Sequence, residues 1–252
     1  FAPATAAATF TVVNTSSMSI RWSANGNAVD VTTYTVVLTT GVVYPNAHFG
    51  NVSLSTTPAG ALPAATMTGL DVNTTYYLFV NAINHSGLST AFAALGATAT
   101  LASPPATAAS TFTVVDTNAM SLTWSTNGNP VDVTSYTVVL TTGFSYPNAF
   151  SGNVLISTVA GSALPTATLT GLLSNATYQL FIAAVNHGGT FSAYTELGST
   201  VTLANAPATA ASTFSAVATN GLTGTWSGNG NAAGTLYEAA VSTEAAFPNA
   251  DT

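Results

Sequence analysis

The sequence predicts an all-β protein made of tandem two-sheet sandwiches, and three observations lead to this prediction. The chain repeats with a period of 102 residues, which separates Pro3 from Pro105 and Trp22 from Trp124. Within a unit, hydrophobic residues alternate with the period of two that is characteristic of a β-strand. Turn-forming residues interrupt this alternation about every ten residues, a spacing typical of short antiparallel strands.

Each strand of the first unit is predicted from its own alternating segment. The residues expected to share a face are, in chain order, Phe10 and Val12 on strand A, Met18, Ile20 and Trp22 on strand B, Tyr34, Val36 and Leu38 on strand C, and Tyr76, Leu78, Val80 and Ala82 on strand F. Val52 and Leu54 mark a short middle strand. Further strands are predicted at 65–70 and 96–101, and a turn at 25–27. Seven short strands rich in Thr and Val are typical of an antiparallel sandwich.

The repeat divides the chain into domains 1–102 and 103–204 and the first half of a third domain, 205–252. Half a sandwich would expose an apolar face and unpaired strand edges. We therefore expect either that the sequence is a fragment of a longer array or that another chain supplies the missing strands. The first alternative is favoured, because the sequence stops in a loop.

A set of aromatic and turn residues recurs at matching positions in both complete units. In the first unit the set comprises Trp22, Tyr34, Thr68-Gly69-Leu70, Tyr76 and Ala82-Ile83-Asn84-His85-Ser86-Gly87. Together these residues resemble a fibronectin type III repeat of the tandem, extracellular bacterial kind. The resemblance implies a seven-strand Greek-key, immunoglobulin-like sandwich. The side chains expected in the structural core are Trp22, Tyr34, Tyr76, Trp124, Tyr136, Tyr178 and Trp226.

The resemblance also implies a tyrosine corner before strand F, formed by Tyr76 and by Tyr178. The sequence departs from the family here, with Val72 and Ser174 where proline is usual and with Asn73 and Asn175 where glycine is usual. Asparagine tolerates a left-handed turn, so the corner is expected to form.

Composition excludes several classes of protein. The chain has one cation, Arg21, against eight acidic residues, so it lacks the basic surface that a nucleic-acid partner requires. Polar residues interrupt every apolar stretch before it could span a membrane, and no signal peptide is recognisable. With no cysteine there is neither a disulfide nor a thiol site.

No constellation of residues predicts catalysis, a cofactor or a metal site. His85 and His187 occupy equivalent positions about one domain apart, and His48 has no counterpart. Asn84-His85 and Asn186-His187 indicate either a ligand-contacting loop or, as we favour, a turn that satisfies its own backbone. Asp30 and Asp132 are single carboxylates, whereas calcium requires several clustered oxygens. We therefore expect a protein that is not an enzyme.

An aromatic-Pro-Asn-Ala motif occurs in all three units. It places Tyr44 and Asn46, Tyr146 and Asn148, and Phe247 and Asn249 in equivalent loops. These residues are candidates for contact with a glycan or a protein partner through an exposed ring. The alternative is a turn whose ring folds back over the edge of the sandwich.

Asn-x-Ser/Thr triplets mark possible sites of glycosylation. They begin at Asn14, Asn51, Asn73, Asn84 and Asn175, and only Asn73 and Asn175 correspond between units. The alternative is that Asn, Ser and Thr supply polarity to a surface with few charges.

The linkers are short and contain proline, which predicts an extended rod. A surface with few charges offers little repulsion between molecules, and we expect copies of the chain to associate. The leading hypothesis is an extracellular or cell-surface structural protein that forms or decorates a fibre, stalk or sheath. The alternatives are an adhesin or carbohydrate-binding array, and a spacer segment of a secreted polysaccharide-degrading enzyme.

Overall fold

The computed structural model describes residues 1–47, 50–57, 62–149, 152–159 and 163–243. Within these ranges no helix is long and apolar enough to cross a membrane. The first unit contains β1 (Ala4–Val13), β2 (Ser17–Ser23), β3 (Thr33–Thr39), β4 (Val52–Thr56), β5 (Ala64–Thr68), β6 (Thr75–Ile83) and β7 (Ala93–Ala99). The second contains β8 (Ala106–Val115), β9 (Ala119–Ser125), β10 (Ser135–Thr141), β11 (Val154–Val159), β12 (Thr166–Thr170), β13 (Thr177–Val185) and β14 (Thr195–Val201). The third contains β15 (Ala208–Ala218) and β16 (Gly221–Ser227).

Each complete unit is a sandwich of a three-stranded and a four-stranded antiparallel sheet. In the first unit the strand orders are β1-β2-β5 and β4-β3-β6-β7, and the second repeats them as β8-β9-β12 and β11-β10-β13-β14. Strand β2, which carries Arg21, is the central strand of its sheet and pairs with both β1 and β5. This arrangement confirms the predicted all-β sandwich fold.

The core lies between the two sheets and consists of the side chains that alternate inward. In the first domain Trp22 is fully buried and Tyr34 is 2% exposed, and their rings pack edge to face at 5.5 Å. Trp124 and Tyr136 repeat this pair at 5.6 Å in the second domain. Burying such large aromatic side chains stabilises each sandwich, because aromatic rings bring the largest apolar areas out of water.

Strand β1 departs from the predicted alternation. Phe10 pairs with Ile20 and packs against the core, but the register then shifts so that Val12 pairs with Ser19. Val12 is consequently 50% exposed, and Val13 packs against the core instead. The prediction that Phe10 and Val12 share the inner face was wrong, because a β-bulge inserts one extra residue and reverses the side-chain alternation.

The tyrosine corner is present in both complete domains. The hydroxyl of Tyr76 accepts a hydrogen bond from the backbone N–H of Asp71 at 2.9 Å, and the hydroxyl of Tyr178 accepts one from Leu173 at 2.9 Å. Asn73 has a φ of 45°, the left-handed conformation that an asparagine side chain tolerates.

The described part of the third unit is a two-stranded antiparallel sheet of β15 and β16. Trp226 packs edge to face on Tyr237 at 5.9 Å, as its counterparts do on their tyrosines. It is nevertheless 42% exposed, so the prediction that it is a core residue is not met in the described residues. The physical reason is that no second sheet packs over β15 and β16 within residues 205–243.

Candidate functional site

The loop after β3 folds back over the outer face of the four-stranded sheet. The ring of Tyr44 lies 4.7 Å from that of Phe92, edge to face, and 5.9 Å from that of Phe79. Phe79 alternates with the core residues of β6 and therefore points away from the core, yet it is 5% exposed. Tyr44 thus covers an apolar patch of its own domain and remains only half-buried itself.

The second domain repeats this arrangement with one substitution. The ring of Tyr146 lies 4.7 Å from that of Tyr194 and 6.2 Å from that of Phe181. Burial, and secondarily the neighbouring Tyr146, raise the pKa of Tyr194. The third copy of the motif, Phe247 and Asn249, lies outside the described residues.

The asparagine of the motif anchors the loop. Asn46 donates from Nδ2 to the hydroxyl of Thr39 at 3.2 Å and to the carbonyl of Val43, and its Oδ1 accepts a hydrogen bond from Asn51 Nδ2 at 2.8 Å. Asn148 repeats the bond to Thr141 at 3.2 Å. These contacts hold the loop against its own sheet, which is how the ring of Tyr44 comes to cover Phe79.

The joint between the first two domains is held by two asparagine side chains. Asn73 is 1% exposed; its Nδ2 donates to Thr134 Oγ1 at 2.8 Å, and its Oδ1 accepts from the backbone N–H of His187 at 2.8 Å. In the opposite direction, Asn186 donates from Nδ2 to the carbonyl oxygen of Thr100 at 3.0 Å. Each domain therefore supplies both donors and acceptors to the other.

The first residue of each domain is hydrogen-bonded to an asparagine in the loop that follows the second strand of that domain. Asn129 accepts from the backbone N–H of Ser103 at 2.7 Å and donates to the carbonyl of the same residue at 2.7 Å. This pair of bonds imitates the exchange between two paired strand residues. It recurs between Asn27 and Phe1, at 2.6 and 2.7 Å, and between Asn231 and Asn205, at 2.7 and 2.9 Å.

The joint between the second domain and the third unit uses the same corner. Asn175 donates from Nδ2 to Thr235 Oγ1 at 2.6 Å, as Asn73 does to Thr134. Ser174 adds contacts of its own: its hydroxyl donates to the carbonyl of Gly230 at 3.2 Å and accepts from Asn205 Nδ2 at 3.0 Å. Two successive joints are thus built from equivalent side chains.

The candidate glycosylation residues differ in what their side-chain nitrogens contact. The Nδ2 groups of Asn73 and Asn175 are engaged in the joints, that of Asn51 bonds Asn46, and that of Asn14 bonds the hydroxyl of Ser17 at 3.0 Å. Asn84 is exposed, and its Nδ2 has no hydrogen-bond partner in the described ranges, whereas its Oδ1 accepts from two backbone N–H groups.

The histidines and acids lie apart from one another. The side chains of His85 and His187 are exposed in equivalent loops of different domains, and His48 lies outside the described residues. Asp30 and Asp132 both have a φ of 65°, in the turns before β3 and β10 respectively. Within residues 1–243, as far as the structure describes them, no three His, Asp or Glu side chains are grouped closely enough to hold a metal ion.

The joint asparagines are the polar residues that sequence reasoning missed. Asn73 and Asn186 have the local turn roles that the sequence predicts, and in addition both form hydrogen bonds across the domain boundary. A signal was present, because Asn25-Gly26-Asn27 recurs at 127–129 and 229–231 and Thr32 recurs as Thr134. Recurrence alone could not reveal which of these residues meet across a joint.

Comparison with known proteins identifies one segment of the chain. Residues 103–197 match the family model described as the fibronectin type III domain. The chain is also 27% identical over 192 residues to Chitinase A1 of Niallia circulans. That alignment covers 73% of this chain but only 23% of the chitinase.

Solved structures with tandem domains are similar to the chain at low sequence identity. A segment of two fibronectin type III domains from chicken tenascin has a TM-score of 0.48 and 18% identity, covering 80% of this chain and all of that segment (100%). The FN1-FN3 domains of chicken CNTN1 have a TM-score of 0.33 and 14% identity, covering 79% of this chain and 67% of that one.

Proposed function

We propose, from the premise that residues 103–197 form a fibronectin type III domain, that this chain is a structural segment of an extracellular protein and acts there as a stiff spacer. A stiff spacer holds whatever it carries at a fixed distance and orientation. No chemical reaction is part of the proposal.

The joint hydrogen bonds are the observation that carries it. A linker without cross-domain contacts leaves its domains free to move relative to one another. Here Asn73 and Asn186 form three hydrogen bonds across the first joint, and Asn129 fixes the linker residue Ser103 to the second domain. The second joint repeats the corner contact through Asn175, so the restraint belongs to the repeat rather than to one pair of domains.

Small-angle X-ray scattering on the full chain tests this proposal. We expect the wild-type profile to fit one arrangement of domains 1 and 2, and the profile of the Asn73→Gly variant to require a broad distribution of interdomain angles. Glycine keeps the left-handed turn but removes the side-chain hydrogen bonds to Thr134 and His187. Asn25→Gly is the matched control, because Asn25 also has a positive φ (52°), but its side chain donates to the carbonyl of Ala2 within its own domain and not across the joint. A wild-type profile as broad as that of Asn73→Gly would reject the proposal.

Self-association into a fibre, stalk or sheath is the larger assembly that we propose for such spacers. It is supported by the low density of charged side chains, nine in 252 residues. Electron microscopy and light scattering on the concentrated chain provide the test. Regular filaments or stepwise growth in mass would support assembly, and a monodisperse monomer at all concentrations would exclude it for this segment.

The likeness to a chitinase favours a second candidate function, a spacer segment within a polysaccharide-degrading enzyme. A spacer has no affinity of its own for the polysaccharide, whereas a binding module does. The rings of Tyr44 and Tyr146 pack on aromatic residues of their own domains, which favours the spacer over the glycan-binding alternative. Retention of the isolated chain on insoluble chitin, with loss of retention in Tyr44→Ala, would instead support binding.

A further inference from the structure

The pole of domain 2 that faces domain 1 is a socket with a defined set of polar groups. The groups are the hydroxyl of Thr134, the backbone N–H of His187 and the side-chain amide of Asn186. The corner of domain 1 fills the socket with the side chain of Asn73 and the carbonyl of Thr100. Thr134 is consequently fully buried and Asn186 is 6% exposed.

Domain 1 carries the same groups at its own corresponding pole. Thr32, Asn84 and His85 stand 102 residues before Thr134, Asn186 and His187. Together with Phe1, Asn27 and Thr90, Thr32 and Asn84 line a cavity of about 280 Å³, and Phe1 itself is 79% exposed. No described residue of the chain enters this pole in the way that Asn73 enters the pole of domain 2, and Asn84 is exposed where Asn186 is buried.

Asn84 is already held in the orientation that the occupied socket uses. Its Oδ1 accepts from the backbone N–H groups of Ser86 at 3.0 Å and Leu88 at 2.9 Å. Asn186 makes the equivalent two bonds to Gly188 and Thr190, at 3.0 and 2.8 Å, and in addition donates from Nδ2 across the joint. The Nδ2 of Asn84 is therefore a positioned donor, and a partner that accepts from it pays little ordering entropy.

We propose that the pole of domain 1 is a docking socket for the corner of a further domain of the same repeat. The occupant presents an asparagine in the left-handed conformation, whose amide bonds Thr32 and the N–H of His85, and a strand-end carbonyl that accepts from Asn84. The occupant is chosen by analogy with the joint between domains 1 and 2. There the equivalent groups of domain 2 bind the corner of a neighbouring domain and not a small ligand. The proposal rests on the spacer function and deepens it, because each domain of the repeat would then have a pole that receives the corner of another domain of the same repeat.

The test extends the full chain at its first residue with a second copy of residues 1–102, so that the added corner reaches domain 1 through the natural linker length. Amide hydrogen exchange at His85 is then compared between the original and extended chains by NMR. We expect protection of the His85 N–H to rise about tenfold in the extended chain, the effect of gaining one hydrogen bond. Asn73→Gly in the added copy alone is expected to return protection to the original level.

The N–H of His187 serves as the internal reference, because it lies in a joint in both proteins. Protection at His187 without a gain at His85 in the extended chain overturns the socket and leaves the spacer proposal standing. Absence of protection at His187 in the original chain contradicts the spacer proposal instead. Protection of His85 in the original chain by chitin oligosaccharides, with none from the added domain, would assign the pole to a glycan and also overturn the socket.

A pair of substitutions in the body of the chain provides an independent measurement. Asn84→Asp keeps an oxygen acceptor for Ser86 and Leu88 but removes the Nδ2 donor. It is expected to leave the thermal midpoint of the original chain unchanged and to lower that of the extended chain, whereas Asn186→Asp lowers both. Equal effects of Asn84→Asp on the two proteins would contradict the proposal.

Discussion

Asparagine carries much of the polar bonding in this protein. One amide side chain offers both donors and an acceptor without a charge, so it can be buried at a joint without the large desolvation cost of an ion pair. Asn73 uses Nδ2 and Oδ1 on different residues of the next domain, and Asn129 uses both on the linker residue Ser103. A chain with nine charged residues in 252 can therefore fix its domains without salt bridges.

Removing the hydroxyl of Tyr76 tests how much the tyrosine corner contributes to the stability of domain 1. Tyr76→Phe leaves the N–H of Asp71 without its partner, and we expect domain 1 to lose about 1 kcal/mol of stability. Native-state hydrogen exchange of β3 and β6 measures this loss. Tyr77→Phe, the next residue along the strand and half-buried, is the control and is expected to change nothing. Equal effects of the two substitutions would remove the corner bond as the cause.

Buried tyrosines also determine how stability depends on pH. Burial raises the pKa of Tyr34, Tyr76 and Tyr136 above the ordinary value of 10.0. Above that pH the unfolded chain loses phenolic protons that the folded chain retains, so the unfolded state is favoured. Stability from these groups is therefore full below the ordinary pKa and is lost as pH rises through the raised one.

Urea unfolding at a series of alkaline pH values measures this dependence. We expect the midpoint to fall steadily above about pH 10, where tyrosine ionises in the unfolded chain. Tyr34→Phe should make the fall shallower. An unchanged slope in Tyr34→Phe would show that this phenol does not contribute.

The sequence predicts the position of a side chain correctly where that position depends only on neighbouring residues in the same strand. Trp22 and Tyr34 are buried because each alternates inward on its own strand, and alternation is visible in the sequence. Asn73 and His187 lie 114 positions apart, and their contact depends on the angle between two domains. No local pattern encodes that angle, so the joint could be found only in the folded structure.

At the scale of elements, the loop after β3 behaves as a cover for its own sheet. Tyr44→Ala removes the ring that packs on Phe79 and Phe92, and we expect a loss of about 2 kcal/mol in domain 1. Val42→Ala in the same loop, 68% exposed, is the control and should be neutral. Hydrogen exchange of β6 reports the loss. Unchanged stability of Tyr44→Ala together with weaker glycan binding would assign the ring to ligand contact instead.

Most strands could be predicted from alternation, and the errors fall at irregular backbone. In β1 the bulge between Phe10 and Val12 reversed the predicted faces, because an inserted residue leaves hydrophobicity unchanged while turning the side chains over. In β7 the strand was predicted from residue 96, but it begins at Ala93. Gly96 has a φ of 115° within it and interrupts the alternation there.

At the scale of the whole molecule, the sparse charge makes a prediction about association. If copies of the chain associate through uncharged side chains, raising sodium chloride from about 0.1 to about 1 M should leave the association constant nearly unchanged, although it shortens electrostatic screening distances severalfold. Sulfate should strengthen association, since it is excluded from protein surfaces. Analytical ultracentrifugation measures both. Dissociation in sodium chloride would indicate an interface held by the few charges.

The position of Arg21 affects how readily proteases can cut the folded chain. Enzymes of the trypsin type cut after lysine or arginine, and in all 252 residues Arg21 is the single position that they could use. It lies in β2, between β1 and β5, where the backbone is committed to neighbouring strands and cannot extend into a protease cleft. The scarcity of basic residues that gives the chain its net negative charge thus also makes the folded chain resistant to a major class of digestive enzymes.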